Sequence, residues 1–225
     1  MSRIYIPAAS ADQWAALLAE PTKHWRTGFS ARTLAHSWQE AQGFPAEVKD
    51  ALDTSDALRG SELLLAIPEH QVSLPGGGRP SQNDIWALAR ANRQLVSVAV
   101  EGKVAEPFGP TLGEWLEQPS PGKSQRLAFL QSELGLTSQP DSSIRYQLLH
   151  RTASAILEAK RFGASHAVML VHSFSQEHQW FGDFAAFAGI LGVGAEVGRV
   201  FTVGEREGVR LHVGWVRGNP SYLEK

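Results

Sequence analysis

Cysteine is absent from the 225 residues, so disulfides, thiolate zinc sites and a cysteine nucleophile are excluded. Long apolar runs are missing too. No stretch approaches the roughly 18 residues that a bilayer-spanning helix needs, and no charged-then-apolar leader opens the chain. The expectation is a chain with no membrane span or signal peptide and with the cytoplasm as its default compartment. Neither sign of charge is in excess. A net charge of −2 and a pI near 6.4 do not announce a polyanion binder, so phosphate chemistry would require a local basic groove on a near-neutral body. What is present suits a globular fold: 43% hydrophobic and 20% charged residues, in a chain long enough to bury a sizeable core. The seven tryptophans are read mainly as core.

The informative stretch is residues 80–106. Two strand-like runs, Asp84 to Arg90 and Leu95 to Lys103, flank the polar break Ala91-Asn92-Arg93-Gln94. If Asn92-Arg93 is a two-residue hairpin turn, counting outward from it places Asp84 opposite Glu101. Alternation then gives Val96, Val98 and Val100 one face, with Ile85, Ala87 and Ala89 across from them, and gives Asp84, Glu101 and Lys103 the other. Two facing carboxylates, roughly 5 Å apart at Cβ, repel by up to about 1 kcal/mol. A divalent cation removes that repulsion, and hard oxygen donors suit magnesium or manganese. A solvated ion-pair network at the hairpin mouth is the plainer alternative. Against it, Glu101 closes a run from Leu95 that is otherwise apolar or small.

Asp84 followed by Glu101-Gly102-Lys103 on adjacent strands resembles the PD-(D/E)xK motif of the restriction-endonuclease-like nuclease superfamily. The residue before Asp84 is Asn83, and the nearest proline is Pro80, where the motif has proline directly before the aspartate. The resemblance implies an α/β (α+β) core of order α-β-β-β-α-β, a central mixed sheet flanked by helices. It also implies Asp84 and Glu101 as ligands of Mg²⁺ or Mn²⁺, and Lys103 orienting or activating the attacking water. In such nucleases the helix after the lysine-bearing strand often carries a polar residue toward the metal or scissile phosphate. Gln147 is that candidate, with ordinary surface polarity as its alternative. Arg145, Arg151 and Arg79 are candidate phosphate contacts, with ordinary surface polarity again the alternative for Arg145 and Arg151. The implied partner is nucleic acid, DNA ahead of RNA, with no membrane. The runner-up is a binding or regulatory protein that keeps the nuclease fold without its chemistry.

Element order supports the comparison. Residues 1–44 read as a helical N-terminal extension, available as a lid, a substrate-binding arm or a homodimer surface, and residues 45–225 as the α/β domain. Ser10 and Ser30 are candidate caps, Pro45 opens a third helix, and Arg32 and His36 share a face of the second. Glu62 to Ile67 reads as a strand stopped by Pro68, with Val72 and Leu74 continuing an extended segment. Pro75 to Pro80 is a glycine-rich loop without the lysine-serine ending of a P-loop, and is read as a turn. Glu106 is either a further ligand or the strand's solvent end. Helices are expected at Leu112 to Leu116, Ser124 to Leu134, Ser142 to Phe162 and Gln179 to Leu191, and strands at His166 to His172 and Val209 to Trp215. Gln147 and Arg151, four apart, face the same side.

Other constellations carry less. Gly192 to Gly198 has the wrong spacing for a dinucleotide loop and follows a helix. His166, His172 and His178 do not converge by spacing on one metal. Ser173, His172 and Asp183 lack a nucleophile elbow. A glycosidase acid–base pair of Asp84 and Glu101 would be kept ionised by Lys103, whereas the acid must hold its proton.

Overall fold

A computed structural model describes residues 10–225, so the first nine positions of the helical segment lie outside it. After a 3-10 helix at Ala11–Leu17 come α1 (Pro21–His24), α2 (Ser30–Glu40) and α3 (Ala46–Asp53). The meander β1 (Glu62–Val72), β2 (Ser81–Ala91) and β3 (Gln94–Lys103) follows. Next are α4 (Leu112–Leu116), α5 (Pro121–Leu134), α6 (Tyr146–Phe162), β4 (His166–Ser173), α7 (Phe181–Ile190), β5 (Arg199–Arg206) and β6 (Val209–Arg217). The six strands form one mixed sheet in the order β1-β2-β3-β4-β6-β5, with helices on both faces. β3 runs parallel to β4, and β4 to β6; the remaining pairs are antiparallel. The fold is therefore the expected mixed α/β arrangement.

The β2–β3 hairpin closes on Asn92 and Arg93, both with positive φ (50° and 67°), which is the primed turn whose twist matches that of paired strands. Its register is the one counted from the sequence, running from Ala91 opposite Gln94 to Ile85 opposite Val100. The ladder stops one step before Asp84. There the side chain replaces the backbone: Asp84 Oδ2 accepts a hydrogen bond from the Gly102 N–H at 2.7 Å. Position 102 has no room for more than glycine, because a Cβ there would stand 3.0 Å from Leu34 Cδ2 on α2.

The alternation of β2 and β3 sorts the core. Ile85, Ala87, Val96, Val98 and Val100 pack with Trp14, Leu34, Trp38, Val48 and Leu52, so α2 and α3 cover one face of the sheet. On the other face α6 lies across β3 and β4, burying Ala155, Ile156 and Ala159 against Ala99, Ala167 and Leu211. Further along, Leu148 and Leu149 join residues of α5 and α7 around Met169, Val171 and Trp215. Side chains on both sides of position 44 thus share one core. The link is polar as well: Trp38 Nε1–H donates to His172 Nδ1 at 3.2 Å, and Glu106, at the end of the β3 segment, caps α2 by accepting from the Ser30 N–H at 2.9 Å.

Both edge strands differ from the sequence reading. Pro68 does not stop β1, which continues to Val72; β1 is an edge strand, where a missing N–H costs no ladder bond. β5 was not expected. It is the opposite edge of the sheet, mostly half-exposed, and its pattern lacks the continuous apolar run of a central strand.

Candidate functional site

Glu101 is the centre. It lies on the α6-facing side of β3 and is buried, as are Lys103 and Arg151. Lys103 Nζ donates to its Oε1 at 2.6 Å and Gln147 Nε2 to the same oxygen at 2.8 Å. Arg151 Nε donates to Oε2 at 2.6 Å. Helical spacing brings this about: Gln147 and Arg151 are one turn apart on α6, so both reach the same strand position. Gln147 is fixed from its other end, since its Oε1 accepts from the Gly109 N–H at 3.2 Å. Arg151 Nη1 also donates to Ser81 Oγ, at 3.3 Å. Lys103 Nζ stands 5.0 Å from the centroid of the Phe108 ring.

The charges in this cluster are unequal. Burial works against the ionised form of Glu101, but Lys103 and Arg151 outweigh it and bring its pKa down to about 2. Half-buried Asp84 moves the other way, pushed well above the usual carboxylate range by burial and then by the charges of Glu101 and Glu69. Glu69 is raised to about 7 by burial, against the hydrogen bond from Gln82 (Nε2 to Oε2, 2.5 Å) and the charge of Arg151. Arg151 is held above its ordinary value despite burial, first by Glu101 and then by Asp84.

The structure therefore gathers Asp84, Glu101, Lys103, Gln147 and Arg151 from β2, β3 and α6. It places two other candidates elsewhere. Arg145 Nε donates to Asp183 Oδ2 at 2.7 Å, and its guanidinium lies 5.6 Å from the Trp180 ring centroid. Arg79 is exposed in the glycine-rich loop. Glu106 serves as the cap of α2, and His172 Nε2 faces Glu47 Oε1 at 3.2 Å. Arg32 and His36 face Asp12, at 3.9 and 4.0 Å.

Glu69 was missed. It lies on β1, where the β1–β2 register continued past Pro68 brings it alongside Asp84. Reading Pro68 as a terminator removed it from consideration.

Beside the cluster opens a pocket of about 840 Å³, bounded by the glycine-rich loop, the first turn of α5 and α6. Arg151, Gln147 and Ser81 belong to both. Arg126 organises the loop: Nε donates to Pro75 O at 2.9 Å, Nη1 to Arg79 O at 2.9 Å, and Nη2 to the carbonyls of Leu74 and Gly77. At Gly76 (φ +85°) the loop crosses Gly122 so closely that a Cβ would fall 2.1 Å from the Gly122 oxygen.

As a donor set, Asp84 and Glu101 fit a hard divalent cation that takes one or two carboxylates and completes its shell with water and substrate oxygens. Burial is the first cause of the raised Asp84, and the Glu101 and Glu69 charges that add to it are a repulsion such an ion relieves. Glu101 already receives three donors, and among the described residues no group of three His, Asp or Glu is placed to hold a metal. Also among the described residues, no helix is long and apolar enough to cross a membrane.

A family model described as Domain of unknown function (DUF6946) matches residues 7–220. No curated protein and no solved structure matches the chain.

Proposed function

The chain belongs to the DUF6946 family, and we propose that it is a metal-dependent phosphodiesterase of the restriction-endonuclease-like kind, acting on nucleic acid in the cytoplasm, DNA ahead of RNA. The observation that carries this reading is the convergence of Lys103, Gln147 and Arg151 on one buried carboxylate, Glu101, with Asp84 at the same strand end. The order helix, three antiparallel strands, helix, parallel strand from α3 to β4, with α4 and α5 added after β3, supports it further.

Asp84 and Glu101 would hold Mg²⁺ or Mn²⁺, whose chemistry when bound is to acidify water and neutralise charge on the phosphoryl oxygens. The chain's own groups do the positioning. Lys103 keeps a compact ammonium on Glu101 Oε1, where it would meet negative charge developing on a phosphate bound beside that carboxylate. Arg151 keeps Glu101 ionised and fixes the second oxygen. Gln147 sets the rotation of the carboxylate, its own amide being tied to Gly109.

The test is a calorimetric Mn²⁺ titration of the wild type and Asp84→Asn, followed by cleavage assays on single- and double-stranded DNA and RNA with wild type and Lys103→Ala. Saturable binding lost in Asp84→Asn, with cleavage lost in Lys103→Ala, is the expected pair of results. A wild type that binds the ion and cuts none of the four substrates ends the hydrolytic reading.

A second reading has its own observation. Both oxygens of Glu101 are taken by protein donors, as in a fold that has kept its frame and given up its chemistry. Such a binding protein would retain nucleic-acid affinity in Lys103→Ala and never cleave.

A further inference from the structure

The pocket has cations in its wall and no acid. Arg79, Lys123, Arg126 and Arg151 line it, and no Asp or Glu does. Glu101 answers Arg151. The other three have no carboxylate among the described residues. Arg126 is buried with its donors on backbone carbonyls, and Lys123 Nζ donates to Trp115 O at 2.6 Å and Gln118 O at 2.7 Å. Carbonyl dipoles satisfy the N–H groups of Arg126 but leave its unit charge standing, and a charge held out of water without a counter-charge is costly; Lys123 is half-buried and Arg79 exposed beside it. The pocket is built as though a negative group completes it.

An independent observation points the same way. Tyr146 lines the pocket, is 8% exposed, and its hydroxyl lies beside the Arg126 guanidinium without a well-aligned hydrogen bond among the described residues. Buried hydroxyls nearly always find a partner. The first turn of α5 forms the adjoining wall through Ser120, Gly122 and Lys123, its Lys123 N–H already capped by Ser120 Oγ at 3.2 Å. Trp115 and Tyr146 stack with ring centroids 4.1 Å apart at 9°, making an aromatic plate beside Leu74, Pro80 and Pro110, with Lys123 Nζ 5.5 Å from the Trp115 ring centroid. The volume lies within the range of small-molecule sites.

We infer that this pocket binds the phosphate monoester of a nucleotide, the phosphate on Arg79, Lys123 and the Tyr146 hydroxyl and the base along the Trp115 plate. The inference does not rest on the hydrolytic reading. The same chemistry comes from two sources, a free mononucleotide or the phosphorylated end of a strand.

Calorimetry on the metal-free full chain tests it with three probes: 5′-AMP, a 5′-phosphorylated dinucleotide and adenosine. Saturable binding of at least one phosphate ester is expected, with adenosine at least about tenfold weaker, since each charge-assisted contact is worth roughly that factor. The tighter of the two esters identifies the source. Arg79→Gln, an exposed change that spares the fold, and Lys123→Gln each weaken binding about tenfold. Tyr146→Phe lowers affinity while the melting temperature of the free protein holds or rises, because an unmet hydroxyl is removed. No saturable binding of either ester, adenosine binding as tightly as 5′-AMP, or undiminished affinity in both charge variants overturns the inference. Binding without cleavage removes only the hydrolytic reading, and cleavage without binding removes only this one.

Discussion

Arg151 Nε lies 2.6 Å from Glu101 Oε2, and Lys103 Nζ holds the other oxygen of the same buried carboxylate at the same distance. One anion therefore serves two cations, and the three are not equally replaceable. Glu101→Gln strands both cations and is expected to cost about 3–5 kcal/mol of stability. Arg151→Ala leaves Glu101 paired with Lys103 and costs roughly half as much. Urea unfolding of the two variants checks the order; equal losses would contradict the shared-anion arrangement.

Glu69 gives the site a pH dependence of defined sign. Its pKa is raised to about 7 in the fold from an ordinary 4.5. The folded state therefore holds the extra proton, and this group's contribution is fully present below about pH 4.5 and lost as the pH rises through about 7. Glu69→Gln, which can still accept from Gln82, should remove that loss and raise stability at pH 8 by about 1–2 kcal/mol. Chemical denaturation at pH 5 and pH 8 reads the difference.

Asp84→Asn is expected to stabilise the metal-free protein, since it removes a repelled carboxylate and keeps an oxygen for the Gly102 N–H. A gain of about 1 kcal/mol matches the cost of facing like charges. The thermal midpoint without metal should rise while Mn²⁺ binding is lost. A lower midpoint would mean that the neighbouring cations need the charge at position 84.

A second titration sits far from the site. His166 Nε2 meets Gln94 Oε1 at 3.0 Å, its Nδ1 meets His212 Nε2 at 3.0 Å, and Thr202 Oγ1 meets His212 Nδ1 at 3.1 Å. With the Gln94 oxygen toward the ring, one proton per imidazole satisfies the whole chain, so both rings are neutral. Burial and then the neighbouring His166 lower His212 to about 3, and burial and then Arg210 lower His166. Stability from His212 is present above about pH 6.5 and falls as the pH drops toward 3, by about 1 kcal/mol per unit. Urea midpoints between pH 7 and pH 5 should show a shallower slope in His212→Gln.

Gly76→Ala should cost about 3 kcal/mol, combining left-handed backbone with a clash against Gly122 that neither backbone can avoid. Gly77→Ala, with φ +68° and open space around it, should cost about 1 kcal/mol. Equal melting temperatures for the two would show that the loop does not need its crossing with α5.

Much of the site could be read from local rules. Alternation and a two-residue turn fixed the hairpin register, and the one-turn spacing of Gln147 and Arg151 put them on one target. What escaped depended on distance. Arg126, a cation inside an ordinary-looking helix, finds its acceptors on a loop far upstream, and nothing within α5 announces that. Arg145 shares a helix start with Gln147 but turns to Asp183 on α7, a choice made by packing. Glu69 was hidden because Pro68 reads as a strand stop unless the strand is known to be an edge. β5 was hidden for the related reason that an edge strand need not be apolar on both faces.

Glu106 joins two segments that a chain diagram keeps apart. One oxygen accepts from the first amide of α2 and the other from the Val104 N–H just beyond β3. Neither amide can open to solvent without loosening the other's acceptor. In hydrogen exchange, Ser30 and Val104 should therefore behave as a single cooperative unit, so that fraying at the start of α2 releases the strand end next to Lys103.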